Sequence, residues 1–100
     1  MALDTITEAI RRKLDESPRF GHTLLLDFGD DGVVFIDGTV SPAVVSTERH
    51  EAETVLTLSV ELFGRMLTGE SSATLAYVTG ELRIAGSIGV ALKLNSMLDE

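Results

Sequence analysis

The chain has 100 residues, of which 44% are hydrophobic, and this predicts one folded domain over residues 1–100 with a substantial core. Its net charge of −8 argues against nucleic acid as a partner, because a phosphate backbone needs a basic surface. The absence of cysteine excludes disulfides, thiolate nucleophiles and cysteine-based zinc sites. No apolar run reaches the length of a membrane span, and the first residues lack the pattern of a signal peptide. We therefore expect a soluble, cytoplasmic protein without stable membrane insertion.

The N-terminal segment has the spacing of an amphipathic helix. Leu3, Ile6, Ile10 and Leu14 recur every three or four residues, which predicts a helix over residues 3–16. The basic residues 11–13 fall near the end of this helix, where cations interact favourably with the helix dipole. They form either a patch for lipid headgroups or phosphates, or a solvated helix face, which is the more common role of a charge run.

Residues 22–28 place Leu24, Leu26 and Phe28 on one side, the alternation typical of a half-buried strand, and three further short runs follow. Glycine, aspartate and proline bracket the first of these runs and favour turns there. The pattern predicts four strands, over residues 22–28, 33–37, 43–47 and 54–58. Several strands followed by helices indicate an α+β fold rather than a strict βαβ alternation.

The pattern in the second half of the chain predicts helices over residues 60–68, 72–78 and 87–98 and a strand over residues 82–85. Serines stand where the helix N-caps belong. Gly80 follows a short helix and Gly86 ends the predicted strand. We expect at least one of these two glycines to adopt a positive φ, which other residues rarely tolerate.

The last predicted helix carries more apolar surface than a sheet alone can cover. Its apolar residues span an arc of roughly 220°, whereas a helix packed on a sheet needs a stripe of about 100°. The excess must be covered by a second helix layer, a partner chain or an apolar ligand.

The second half of the chain resembles the sterol carrier protein type-two (SCP2-like) lipid-binding domain. That family has an aromatic residue followed closely by glycine, then alternating basic and apolar residues, then a second glycine that opens the last helix. The resemblance is strongest over residues 54–98. Four segments carry it: residues 57–59, 67–69, 76–86 and 91–94. The chain departs from the family at Ser72-Ala73, where many members have Asn-Pro, and at Ser87, where Asp or Asn often follows the second glycine.

The resemblance implies a five-stranded mixed sheet, of spatial order 3-2-1-4-5, with helices packed on one face. It also implies an apolar tunnel between helices and sheet that binds a fatty acid, a fatty acyl-CoA or a sterol-like lipid. The predicted function is therefore non-catalytic binding or transport of a hydrophobic small molecule. The predicted ligand-binding residues are apolar side chains of the last three helices: Phe63, Met66, Leu67, Tyr77, Val78, Ile88, Ala91, Leu92 and Met97.

The same residues also suit an alternative, a dimerisation or interaction module with a filled core and no bound lipid. In that case the excess apolar surface would be a homodimer interface. Tyr77 also allows two interpretations. Its hydroxyl could hold a ligand carboxylate, or it could face water at the tip of a half-buried ring.

Nothing in the sequence has the pattern of an active site. His22 and His50 are the only histidines, and neither stands beside a recognisable nucleophile motif. The serines are better explained as helix caps. His50 and the glutamates around it could bind a metal on paper, but a solvated acidic loop is the commoner arrangement. We therefore predict no catalytic residue, no metal site and no cofactor.

Overall fold

The structure is a computed structural model that describes residues 3–16, 20–40 and 42–98. Helix α1 comes first, and four strands follow it. Two helices, a fifth strand and a last helix complete the chain. The helices are α1 (Leu3–Glu16), α2 (Val60–Leu67), α3 (Ala73–Thr79) and α4 (Ile88–Leu98). The strands are β1 (Thr23–Asp27), β2 (Val33–Asp37), β3 (Val44–Ser46), β4 (Thr54–Thr57) and β5 (Arg83–Ala85).

The strands form one mixed sheet in the order β3-β2-β1-β4-β5, as the resemblance implied. β1 pairs antiparallel with β2 and parallel with β4, while the other pairs are antiparallel. The register places Leu25 of β1 between Phe35 of β2 and Val55 of β4. Side chains alternate between the two faces of a sheet, so these three lie on one face and their chain neighbours on the other.

The core lies between the sheet and the helices. Leu24, Leu26, Val34 and Ile36 are fully buried on this face, and all four helices contribute to the same hydrophobic cluster. The prediction that the helices pack on one face is therefore confirmed. Each predicted strand and helix is also present, with bounds that agree within two residues.

The opposite face, which we call the outer face, is crossed by the segment that links β3 to β4. This crossover segment comprises residues 47–53. The ring of His50 lies edge-on to Phe35 at 4.9 Å, and Arg49 forms an ion pair with Asp27 at 3.0 Å. Leu25, although it faces away from the helices, is thus almost fully buried.

Two glycines fix the entrance to α4 and the exit from α3. Gly80 has φ +84 and caps α3 in the left-handed conformation, and Gly86 has φ +112. The prediction of a positive φ is confirmed at both. Gly86 also lies against β4, where a Cβ atom would clash with the carbonyl oxygen of Glu53. Next to it the hydroxyl of the buried Thr54 accepts a hydrogen bond from Ser87 N.

Candidate functional site

Four of the predicted ligand-binding residues lie together in the core beneath the helices. Phe63 and Met66 come from α2, and Ala91 and Met97 from α4; all four are buried in the same cluster. The ring of Phe63 packs edge-on against Phe28 at 5.7 Å. These four side chains are apolar, so they offer no polar partner to a ligand.

The start of α2 explains how its side chains reach the core. Ser59 caps the helix by accepting a hydrogen bond from Leu62 N at 3.0 Å. From this fixed start, Phe63, Met66 and Leu67 fall on one side at the i, i+3, i+4 spacing. Leu67 is only partly buried and packs against the edge of the cluster.

The other four predicted residues lie at the surface. Tyr77 and Val78 of α3 are 45% and 75% exposed, and Ile88 and Leu92 of α4 are 47% and 41% exposed. Leu75, which the sequence analysis did not select, is 59% exposed beside them on α3. We call these five side chains, Leu75, Tyr77, Val78, Ile88 and Leu92, the α3–α4 apolar surface.

Contacts between α3 and α4 hold the two helices of this surface side by side. Asn95 of α4 accepts a hydrogen bond from Ala73 N at the start of α3, at 3.1 Å. Asn95 also lines a cavity of about 300 Å³ together with Leu75 and the carboxylate residue Glu70. Ile88 and Leu92 precede Asn95 at the spacing of one helical stripe, so they lie on the side of α4 that faces α3.

Charge is nearly absent from these two helices. α3 has no charged residue, and α4 has only Lys93. Lys93 Nζ lies 5.8 Å above the ring of Phe20, so its ammonium is directed toward the start of β1. Glu81, between α3 and β5, pairs with Arg65 at 2.8 Å. The site can therefore make apolar contacts but offers little electrostatic recognition.

The helix-capping serines have hydrogen-bonding roles that account for their positions. The hydroxyls of Ser59, Ser72 and Ser87 accept from the backbone amides of Leu62, Leu75 and Val90. Each bond satisfies a donor in the first turn that has no partner within its helix.

The outer face contains a second cavity, with charged side chains in its wall. It has a volume of about 680 Å³ and lies between the crossover segment and strands β1 and β4. Leu25 and Val55 form its floor, while Arg49, His50 and Glu53 belong to its wall. Within the described ranges no group of three or more His, Asp or Glu side chains could hold a metal ion.

Two carboxyl groups of this face are stabilised in their charged form. The hydrogen bond from Gly29 N, and then the guanidinium of Arg49, hold the pKa of Asp27 below its ordinary value of 3.8. The hydrogen bond from Thr23 N, and then that from His22, hold the pKa of Glu53 below 4.5. These charges fasten the crossover segment to β1.

Comparison with known proteins identifies the family. The SCP-2 sterol transfer family matches residues 2–99, and the chain belongs to this family. Among curated proteins, the bovine (Bos taurus) hydroxysteroid dehydrogenase-like protein 2 is 30% identical over 50 residues, which is 50% of this chain. The matched segment spans only 12% of the length of that relative.

Solved structures share the fold. The apo form of sterol carrier protein 2 from Yarrowia lipolytica superposes with a TM-score of 0.71 at 16% identity, covering 95% of this chain and 77% of that one. The sec-alkylsulfatase Pisa1 from Pseudomonas sp. matches with a TM-score of 0.77 at 14% identity, covering 100% of this chain and 17% of that enzyme. The family and the fold support lipid binding or transfer in general. Among the described helices, none has the length and hydropathy needed to cross a bilayer.

Proposed function

We propose that the protein binds a single-chain lipid, such as a long fatty acid, between α2, α4 and the sheet, and carries it without catalysing a reaction. One observation carries the proposal: apolar side chains continue along α4 from the core to the solvent. Ala91 and Met97 are buried, whereas Ile88 and Leu92 of the same helix are exposed. An alkyl chain could follow this path without meeting a charged group.

The proposed entrance is α3, because little holds it in place. Its buried side chains are only Ala73 and Ala76. Burial of an apolar group contributes about 0.8 kcal/mol per methylene, so two alanines anchor the helix far less than leucine or phenylalanine would. Two hydrogen bonds also hold α3. Ala73 N donates to Asn95, and Leu82 N donates to the carbonyl of Ala76. A small outward movement of α3 would open a path to Phe63 and Met66.

Packing energetics favour a site that closes when it is empty. An empty channel of about 300 Å³, a usual size for a ligand pocket, would lower the free energy of unfolding by about 7 kcal/mol, by the volume dependence found for engineered cavities. The stability of a whole domain is about 5–15 kcal/mol. Met66 and Met97 suit a wall that opens and closes, because the unbranched methionine side chain adapts its shape.

The ligand's head group is proposed to stay at the surface. A carboxylate buried without a partner would be strongly destabilised. The hydroxyl of Tyr77, whose ring is 45% exposed, could donate to it there. Fatty acyl-CoA and sterol-like lipids fit the same apolar path, and the description of the family as one of sterol transfer makes a sterol the second candidate ligand.

The α3–α4 apolar surface also supports the alternative, a homodimerisation module with a filled core. In that case the exposed Ile88 and Leu92 would contact a second copy. A lipid-free dimer in native mass spectrometry would favour this alternative, and a co-purified lipid would favour the carrier. A single domain over the whole chain and a cytoplasmic location both stay predictions.

The test of the proposed function is Ala91→Trp, with Ser96→Trp as the matched control. Ala91 is buried and Ser96 is exposed on the same helix. Tryptophan at position 91 would occupy the space meant for ligand, so we expect displacement of a fluorescent fatty acid to weaken about tenfold or more. Ser96→Trp should bind like the parent chain, and circular dichroism should show both variants folded. A parent chain that binds no lipid, with an Ala91→Trp variant that simply unfolds, would support the dimerisation module.

A further inference from the structure

The exposed apolar side chains of this protein are concentrated on two neighbouring helices. Among the described residues, seven large apolar side chains are exposed, and five of them form the α3–α4 apolar surface. The remaining two, Val40 and Val44, lie near β3 at the opposite edge of the sheet. Exposed apolar patches of about 300–600 Å² are often functional in monomeric proteins.

The distribution of charge separates this surface from the rest of the chain. The whole chain has a net charge of −8, yet residues 71–98 contain only Glu81, Arg83 and Lys93 and carry a net charge of +1. The rest of the chain therefore carries −9. None of the five side chains of this surface is charged, although Glu70 and Glu81 flank α3 in the chain. Such a surface can approach a neutral apolar phase, whereas the acidic remainder of the chain would be repelled by an anionic one.

We propose that the α3–α4 apolar surface docks the protein on an uncharged, zwitterionic lipid bilayer. Leu75 and Val78, which are 59% and 75% exposed, would enter the acyl boundary, and Ile88 and Leu92 would follow on the adjacent helix. Tyr77 suits the headgroup level, because its ring is apolar and its hydroxyl is polar. The inference rests on the proposed function in one respect: docking would place the entrance beneath α3 against the membrane from which a lipid is taken.

A second copy of the chain fits this surface less well. A stable interface buries about 800 Å² per partner, and that exceeds the usual size of such a patch. Two chains of charge −8 would also repel each other at low ionic strength. A bilayer, in contrast, needs no complementary shape to cover exposed apolar side chains.

The experiment is flotation with phosphatidylcholine vesicles, comparing the full chain with Leu75→Asp and Val40→Asp. Leu75 is the third residue of α3, where an aspartate interacts favourably with the helix dipole, so the variant should keep its fold. We expect Leu75→Asp to lower vesicle binding about tenfold or more. Val40→Asp makes the same charge change at an exposed apolar residue outside this surface, 45% accessible, and should bind like the parent. Phosphatidylserine in the vesicles should weaken binding at low salt, and added salt should remove the difference.

Three results would overturn the proposal: equal vesicle binding by parent and Leu75→Asp, binding that requires phosphatidylserine, or conversion of a dimer to a monomer by Leu75→Asp in sedimentation. Fatty-acid displacement in vesicle-free solution keeps the two proposals apart. Retained fatty-acid binding without vesicle binding would reject only the docking surface. Vesicle binding without fatty-acid binding would reject only the lipid site.

Discussion

At the scale of single residues, Gly86 and Gly80 differ in what restricts them. Both have positive φ, +112 and +84, but a Cβ atom added at Gly80 would have open space around it. At Gly86 a Cβ atom would meet the backbone of Glu53 and Thr54, which cannot move without disturbing β4. Backbone conformation alone restricts Gly80, whereas conformation and close approach together restrict Gly86.

We therefore predict unequal losses of stability on substitution by alanine. Gly80→Ala should lower the free energy of unfolding by about 1 kcal/mol, through backbone strain alone. Gly86→Ala should lower it by about 3 kcal/mol or more, because strain and overpacking add. Urea unfolding measures both. Equal losses would mean that the close approach of Gly86 to β4 has no energetic consequence.

The sequence could predict these glycines but not their neighbours. A glycine at the end of a strand is a local signal, and so is a serine before a helix. Thr54 has no such signal, because its partner, Ser87 N, lies 33 positions away in the chain. The pair formed by Thr23 and Glu53 was missed for the same reason: each backbone amide donates to the other's side chain at 2.9 Å across 30 positions.

At the scale of elements, the crossover segment is held by charges rather than by a core. Arg49 pairs with Asp27, and the carboxylate of Glu53 accepts from Thr23 N and contacts His22. Both carboxyl groups have pKa values below their ordinary values. A lowered pKa means that the folded state binds its proton less readily than the unfolded state, so the charged form stabilises the fold.

The expected result is a loss of stability in acid. The free energy of unfolding should be constant from neutral pH to about pH 5 and then fall as the pH drops through the ordinary carboxyl values toward the lower folded ones. Asp27→Asn should be less stable at pH 7, by about 1 kcal/mol at most, and should decline less below pH 5. Urea unfolding across this pH range makes the comparison. An Asp27→Asn variant with an unchanged acid decline would show that Asp27 does not contribute to it.

The attachment of α3 gives a prediction about movement. Asn95→Ala removes the acceptor for Ala73 N, so it should cost about 1 kcal/mol and speed amide exchange throughout α3. If α3 is the entrance, ligand association should also become faster. Asn95→Asp keeps an acceptor at the start of the helix and should leave both rates near those of the parent. Faster exchange in α3 without faster association would place the entrance elsewhere.

The order and bounds of the elements could be predicted because their signals are local. The strand β2 was predicted over residues 33–37 and is observed as Val33–Asp37, since a short apolar run that follows a turn defines it. The order of the strands, in contrast, came from the resemblance to a family, because pairing joins distant segments.

The candidate site was the least predictable part. The apolar pattern selected Val78 and Ala91 alike, yet one is 75% exposed and the other is buried. Periodicity gives the face of a helix but not what covers that face.

At the scale of the whole molecule, the sheet separates two different environments. The helical side is apolar from the core to the α3–α4 apolar surface, whereas the outer side has a cavity with an apolar floor and a wall that includes Arg49, His50 and Glu53. A fatty acid should therefore bind only on the helical side. Two buried phenylalanines, Phe63 beneath α2 and Phe35 on the outer face, mark the two sides.

The most direct test uses each of these positions as a reporter. The chain has no tryptophan, so Phe63→Trp and Phe35→Trp each introduce a single one. A brominated fatty acid quenches tryptophan fluorescence only on contact. The carrier account predicts saturable quenching in Phe63→Trp and none in Phe35→Trp. Quenching in Phe35→Trp alone, or in neither folded variant, would contradict a lipid site between the helices and the sheet.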